Sequence, residues 1–197
     1  MERVTEYTRA GLTFDVVDSG PRDGPVVLLL HGFPADHSTW DEVIPALTAA
    51  GLRTLAPDQR GYSPRARPRG RAAYRPRELV RDTVALLDAA GVQTATVVGH
   101  DWGGILGWWL ATAAPRRVER LVVLSTPHPA ALLRSLFSSN QALMSWYIAL
   151  FQLPLLPERL IGPRMPALLR GAGVPRRHAE RYSRRMTEPG TLTAALN

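Results

Sequence analysis

The chain contains neither cysteine nor lysine. The first absence excludes disulfides and thiolate-held metal sites, and it is the usage expected of a reducing compartment. The second means that all 24 basic side chains are arginine, so the formal net charge of +7 reads partly as a habit of composition. It does not by itself mark a dedicated anion-binding surface. Arginines gather over 65–81 and 159–185, yet neither cluster is interleaved with aromatics that could stack on bases. Solvated faces are expected there, and nucleic acid is not an expected partner. Long apolar runs are also lacking. The stretch 142–156 is interrupted by Ser145, Gln152 and Pro154 and is too short to span a bilayer. Met1 to Glu6 lack the basic and apolar blocks of a secretory leader, so a cytoplasmic location without membrane association is expected.

What is present is globular composition: 45% hydrophobic and 21% charged over 197 residues, room for one core-bearing domain with an inserted subdomain. Val4–Thr8 and Leu12–Val17 read as a hairpin, and Val26–Leu30 as a fully buried strand. A helix is expected over Ser38–Ala50, stopped by Gly51, then a strand over Arg53–Ala56. A long polar surface loop should run from Pro57 to Pro76. Leu79, Val80, Val84, Leu86 and Leu87 fall at helical spacing within Glu78–Ala90. Thr94–Val98 is the next strand, Ile105–Ala114 the next helix and Arg120–Ser125 a further strand. This alternation implies a mostly parallel sheet flanked by helices, an α/β architecture. From Ala130 the pattern turns helical and proline-punctuated, with Leu132–Leu150 the longest piece and no later strand. The expected division is a core over 1–129 and a helical cap over 130–197, whose last residues sit inside a helix.

The most informative stretch is Val97-Val98-Gly99-His100-Asp101-Trp102-Gly103-Gly104, where an apolar strand stops at Gly-x-Asp-x-Gly and a helix follows. Glycines two before and two after Asp101 relieve the crowding of a sharp turn, which leaves the apex side chain exposed. A carboxylate there is already ionised at neutral pH and can attack an electrophile without a base. The competing reading is an ordinary strand-to-helix turn capped by an Asp side chain.

Four motifs come in a fixed order: His31-Gly32-Phe33-Pro34, Asp58-Gln59-Arg60-Gly61-Tyr62-Ser63, the Asp101 turn, and Ser125-Thr126-Pro127-His128-Pro129. Together they resemble the α/β-hydrolase superfamily, and within it the epoxide hydrolases. The resemblance covers nearly the whole chain. It implies an α/β-hydrolase fold with an α-helical cap, Asp101 as nucleophile, an oxyanion hole from the backbone N–H groups of Phe33 and Trp102, and a cis Phe33–Pro34 bond. Trp146 to Pro154 resembles the cap segment whose Tyr projects over the nucleophile, which makes Tyr147 the expected acid for the opening epoxide. Trp40, Trp102, Trp146 and His100 are expected around the substrate, with no proton-transfer role for His31 or His100. No cofactor and no metal are expected, and the partner is a small-molecule electrophile; the oligomeric state stays open.

Alternatives within the resemblance remain. Haloalkane dehalogenases share the Asp nucleophile and hold halide with a Trp beside it, as Trp102 could. Haloacid substrates are disfavoured because Trp102 and Ile105 stand where those enzymes place Arg. A non-catalytic ligand-binding member of the fold is the third reading. The superfamily also places a second cap Tyr, an acidic residue and a water-activating His after the cap, and the sequence ends before all three. None of His31, His37, His100, His128 and His178 falls at the position of that base, and His128 has no acidic neighbour to orient it. The expectation is therefore a C-terminally truncated enzyme, lacking the last strands and helices, that completes ester formation but turns over slowly or not at all. Its strand Leu121–Leu124 would form an uncovered sheet edge.

Overall fold

The computed structural model describes residues 2–138 and 156–197. The chain divides into two compact units, Met1–Thr126 and Pro127–Asn197.

In the first unit six strands form one sheet: β1 (Glu6–Arg9), β2 (Leu12–Ser19), β3 (Val26–Leu30), β4 (Arg53–Pro57), β5 (Ala95–His100) and β6 (Val118–Leu124). Their spatial order is β1-β2-β4-β3-β5-β6. The β1–β2 and β2–β4 pairs are antiparallel, whereas β3 runs parallel to both β4 and β5, and β5 parallel to β6. The expected mostly parallel sheet is therefore present. From β3 the chain moves to one side to form β4, and then crosses to the other side to form β5. The reversal falls between β3 and β5, and in open α/β sheets ligands usually lie at the carboxyl ends of the strands at such a point.

Strand β3 explains why its sequence is apolar throughout. Leu28 and Leu30 face a core with Phe14, Leu55, Leu86, Leu87, Val97, Leu106 and Leu110, while Val27 and Leu29 face a second cluster with Trp40 and Ala56. Both faces are covered, so polar alternation would place polar groups in a core. Each fully buried leucine contributes about 2–3 kcal/mol of transfer free energy.

Three helices complete this unit: α1 (Ile44–Ala49), α2 (Pro76–Ala89) and α3 (Trp102–Ala113). The helix expected over Ser38–Ala50 is instead a short 3-10 turn, His37–Trp40, followed by α1. Pro45 accounts for the break, since it lacks an N–H and is tolerated only in a first helical turn, where α1 places it. Helix α3 starts at Trp102 and runs through Gly103, Gly104 and Gly107, earlier than expected. A Cβ on Gly103 would lie 2.2 Å from the Leu30 carbonyl oxygen, so the missing side chain is what lets the helix lie against β3.

The segment after β4 is not the surface loop its polarity suggests. Asp58, Arg60, Tyr62, Ser63 and Ala66 are buried. Arg60 donates from Nε and Nη2 to the two carboxylate oxygens of Asp82 on α2 (2.6 and 2.7 Å), and Arg9 adds a 2.6 Å bond to the same carboxylate. The Ser63 hydroxyl accepts from the Asp15 N–H at 2.8 Å and donates to the Asp58 carbonyl at 3.1 Å. Polar residues are buried here because each finds a charged or backbone partner. Strand β6 is an edge strand, and Val122 and Leu124 on it are exposed.

The second unit is helical among its described residues: Pro129–Ser138, Leu156–Ile161, Met165–Gly171, Arg176–Thr187 and Thr191–Ala195. Pro166 and Pro175 stand at helix starts, as the proline punctuation implies. Helix Arg176–Thr187 buries Ala179, Tyr182, Ser183 and Met186, the i, i+3, i+4, i+7 face, and keeps an Arg176–Glu180 pair on its outer side. The final helix closes at Ala195, so Leu196 and Asn197 lie beyond it and not inside it. Among the described residues no helix is long and apolar enough to cross a membrane.

Candidate functional site

Asp101 stands at the turn between β5 and α3 with φ 52° and ψ −121°. This region is sterically costly for a residue with a Cβ, on the order of 1–3 kcal/mol, and persists only where the surroundings fix it. Several bonds do so. The Asp101 N–H donates to the Leu124 carbonyl (3.1 Å), and the Asp101 carbonyl accepts from Gly104 N–H (2.9 Å), Ile105 N–H (3.1 Å) and the Thr126 hydroxyl (2.9 Å). The side chain makes no capping bond to α3. It turns instead toward the loop after β3, where the Phe33 N–H donates to Oδ2 at 2.9 Å.

That approach depends on Gly32. A Cβ there would lie 2.5 Å from the Asp101 Cβ and 2.6 Å from Oδ2. Residue 32 must therefore be glycine for the loop and the carboxylate to meet. The Phe33–Pro34 bond is cis.

The loop is tied to the residues after β4 at both ends. The Gln59 N–H donates to His31 Nε2 at 3.1 Å. An acceptor at Nε2 fixes the tautomer, so Nδ1 carries the proton and donates to the Gly32 carbonyl at 3.2 Å. The His31 ring is fully buried and packs edge-on to Tyr62, with centroids 4.5 Å apart. Burial pushes its pKa below the usual histidine value, with nearby Asp58 opposing. Burial also pushes the Tyr62 phenol up, and the charge of Asp101 adds to the effect. At the other end Asp58 Oδ1 accepts from the His37 N–H at 3.0 Å and lies 2.7 Å from His37 Nδ1. Burial would raise the Asp58 carboxyl, but the hydrogen bond and charge of His37 outweigh it and pull it down to about 2.

Asp36, His37 and Asp58 bring potential metal-ligand atoms within 4.8 Å of one another. These atoms are already engaged: Asp36 Oδ1 accepts from the Ser38 N–H at 3.0 Å as the cap of the 3-10 turn, and Asp58 holds His37. The group is accounted for by capping and loop fixation.

The structure brings together Asp101 and Phe33 and places Trp102 at the first residue of α3, with its ring exposed. His100 ends β5 half-buried. Trp40 packs with Val27, Leu29 and Ala56, and its indole Nε1 is buried with no hydrogen-bond partner among the described residues. Trp146 and Tyr147 lie outside the described residues. His128 accepts from the Ala130 N–H at 3.2 Å, and His178 stacks on Tyr182. Thr126 is a contributor that the sequence reading left unassigned, although its motif, Ser-Thr-Pro-His-Pro directly after a strand, was visible. The pairings of Asp58 with His37 and of Gln59 with His31 were missed as well.

A strained Asp turn between β5 and α3, facing an N–H at the end of β3 across a sheet reversal, is the geometry of an α/β hydrolase. A family model described as the alpha/beta hydrolase fold matches residues 25–159, and the chain belongs to that family. Several of the proteins it resembles are named epoxide hydrolases. It is 39% identical over 197 residues to the AB hydrolase superfamily protein YfhM of Bacillus subtilis, covering 95% of this chain and 68% of that one. Epoxide hydrolase A of Mycobacterium tuberculosis is 36% identical over 193 residues, 94% of this chain and 56% of its own length. Epoxide hydrolase B of the same organism is 48% identical over 113 residues, 57% of this chain and 32% of its own length. Among solved structures, an epoxide hydrolase from hot-environment metagenomes superposes with a TM-score of 0.85 at 34% identity, covering 99% of this chain and 68% of that one. An epoxide hydrolase from Bacillus megaterium, solved with a naphthyloxy-propanediol product, gives 0.85 at 28% identity over 97% of this chain and 69% of its own. The chain thus spans from about a third to about two thirds of the length of these curated relatives.

Proposed function

We propose that this chain acts on epoxides through Asp101. The observation that carries the reading is the Asp101 carboxylate, held in a strained turn with no capping bond to α3 and with Oδ2 2.9 Å from the Phe33 N–H. An Asp serving only as a helix cap would spend its side chain on the helix N-terminus. The similarity to epoxide hydrolases from Mycobacterium tuberculosis supports the same substrate class.

In the proposed reaction the free carboxylate oxygen attacks a ring carbon of the epoxide. The C–O bond of the ring breaks as the new ester bond forms, and the ring oxygen takes a proton, with Tyr147 as the proposed donor. The product is a β-hydroxyalkyl ester of Asp101. Water then attacks the ester carbonyl; the developing oxyanion falls to Phe33 N–H and, by proposal, Trp102 N–H, and cleavage of the acyl–oxygen bond releases a diol and regenerates the carboxylate. The hydrolytic step needs a base. His31 Nε2 already accepts from the Gln59 N–H and does not serve as that base. We expect hydrolysis to be slower than attack, so that the ester accumulates.

Intact mass after incubation with an aryl epoxide, and separately with a primary alkyl bromide, tests the reaction class. A gain equal to the whole epoxide mass is expected, with little alkylation by the bromide. Alkylation by the bromide alone, with release of bromide, supports the dehalogenase reading that the exposed Trp102 beside Asp101 would serve. No reaction with either probe in a folded sample overturns both.

A further inference from the structure

We propose that His37, held by Asp58, is a positioning residue that sets where the Phe33 N–H points. This deepens the reading of Asp101 as nucleophile and rests on it only for its catalytic consequence.

Phe33 lies two residues after His31 and four before His37, and each of these is fixed to a neighbouring pair on the segment after β4. At the near end the Gln59 side chain donates to the His31 carbonyl, and its N–H donates to His31 Nε2 at 3.1 Å. At the far end one oxygen of Asp58 takes both the backbone N–H of His37 at 3.0 Å and its ring Nδ1 at 2.7 Å. Between the anchors the Phe33 N–H reaches Asp101 Oδ2 at 2.9 Å. A donor useful to a developing oxyanion must be held before the charge appears, because reorienting it during the reaction forfeits the gain. The ring bond at Nδ1 adds to the backbone bond of residue 37 at this end, and the two together limit how far the turn can rotate about its His31 end.

The partners are chemically suited to this. Asp58 is almost fully buried, and its charge needs a donor that remains in place. The His37 ring is about a quarter exposed, so it reaches the carboxylate while keeping contact with solvent. His37 and Asp58 are 21 residues apart and Phe33 and Asp101 are 68 apart, so the loop after β3 is bonded to the segments after both β4 and β5.

The test uses the 197-residue chain, uniformly 15N-labelled, with His37→Ala and His37→Asn. Asparagine keeps a donor near the position of Nδ1, and alanine removes it. Asp101→Asn first identifies the Phe33 amide resonance as the reporter of the bond to Oδ2. In His37→Ala the Phe33 N–H should exchange with solvent about tenfold faster than in wild type. His37→Asn should restore protection close to the wild-type level. The bond to Oδ2 also orients the attacking carboxylate, so the saturating rate of ester formation with an aryl epoxide should fall by up to about tenfold in His37→Ala, with the half-saturating concentration little changed. Unchanged Phe33 exchange in a folded His37→Ala overturns the proposal, as does equal loss in both variants. If His37→Ala does not fold, His37→Leu takes its place: it fills the space of the ring without a donor, and unchanged exchange there is equally fatal. The exchange measurement does not depend on any reaction. Absence of an adduct in wild type counts against the epoxide reading, while the exchange result still decides the role of His37.

Discussion

The Phe33 N–H and the Asp101 carboxylate oxygen Oδ2 lie 2.9 Å apart although 68 residues separate them in sequence. The contact exists because β3 and β5 are neighbours in the sheet and their carboxyl ends open into the same reversal. It also requires that residue 32 carry no side chain.

Replacing Gly32 by alanine should therefore displace the carboxylate before it disturbs the core. The added Cβ meets Asp101 at 2.5 Å, inside any tolerable contact. Overpacking of this kind costs about 1–3 kcal/mol of stability. The rate of ester formation should fall by about a hundredfold or more, since an ångström of misplacement carries a penalty of that order. Urea unfolding and the kinetics of adduct formation measure the two effects separately.

Strain at Asp101 predicts a stability order. At φ 52° and ψ −121° glycine pays no Cβ penalty, so Asp101→Gly should be more stable than Asp101→Ala by about 1 kcal/mol. Neither variant should form an adduct. Denaturant midpoints of the two variants check the order, and equal midpoints would indicate a relaxed turn.

Much of this was legible in the sequence, and the reasons differ by element. The apolar run of β3 and the glycines around Asp101 are local signals whose physical meaning survives without tertiary information. The failures are non-local. Asp58, Arg60 and Ser63 look like a solvated loop because nothing in the linear pattern shows that Asp82 and the Asp15 N–H will meet them. The interrupted helix at Pro45 was readable in principle, since proline cannot sit in a helix interior, but the surrounding helix formers suggested continuity. The tethers on the Phe33 loop join residues 21 and 28 apart, a separation at which periodicity carries no information.

The buried Asp82 offers a stability prediction. Asp82→Ala removes the partner of Arg60, which is almost fully buried, and should cost about 3–5 kcal/mol. Arg65→Ala, which breaks exposed pairs with Glu6 and Asp15, should leave the midpoint unchanged. Urea denaturation of the two variants distinguishes a structural ion pair from a surface one.

His31 should make the fold acid-sensitive. Burial depresses its pKa in the folded state, so the unfolded chain takes up the proton first. The contribution is fully present above the unfolded histidine pKa, about 6.5, and is lost as pH falls from there toward the folded value. Stability measured between pH 7.5 and 5 should decline with acid, and His31→Gln should flatten the slope at the cost of a lower plateau. An identical slope in the variant would assign the decline to another group.

The central claim is that Asp101 is the atom-bearing nucleophile. Its most direct test is proteolysis of the protein after incubation with an aryl epoxide, followed by tandem mass spectrometry of the peptide spanning Asp101. One added epoxide is expected on Asp101, absent from that peptide in Asp101→Ala. Modification at another residue, or equal modification of wild type and Asp101→Ala, would contradict it.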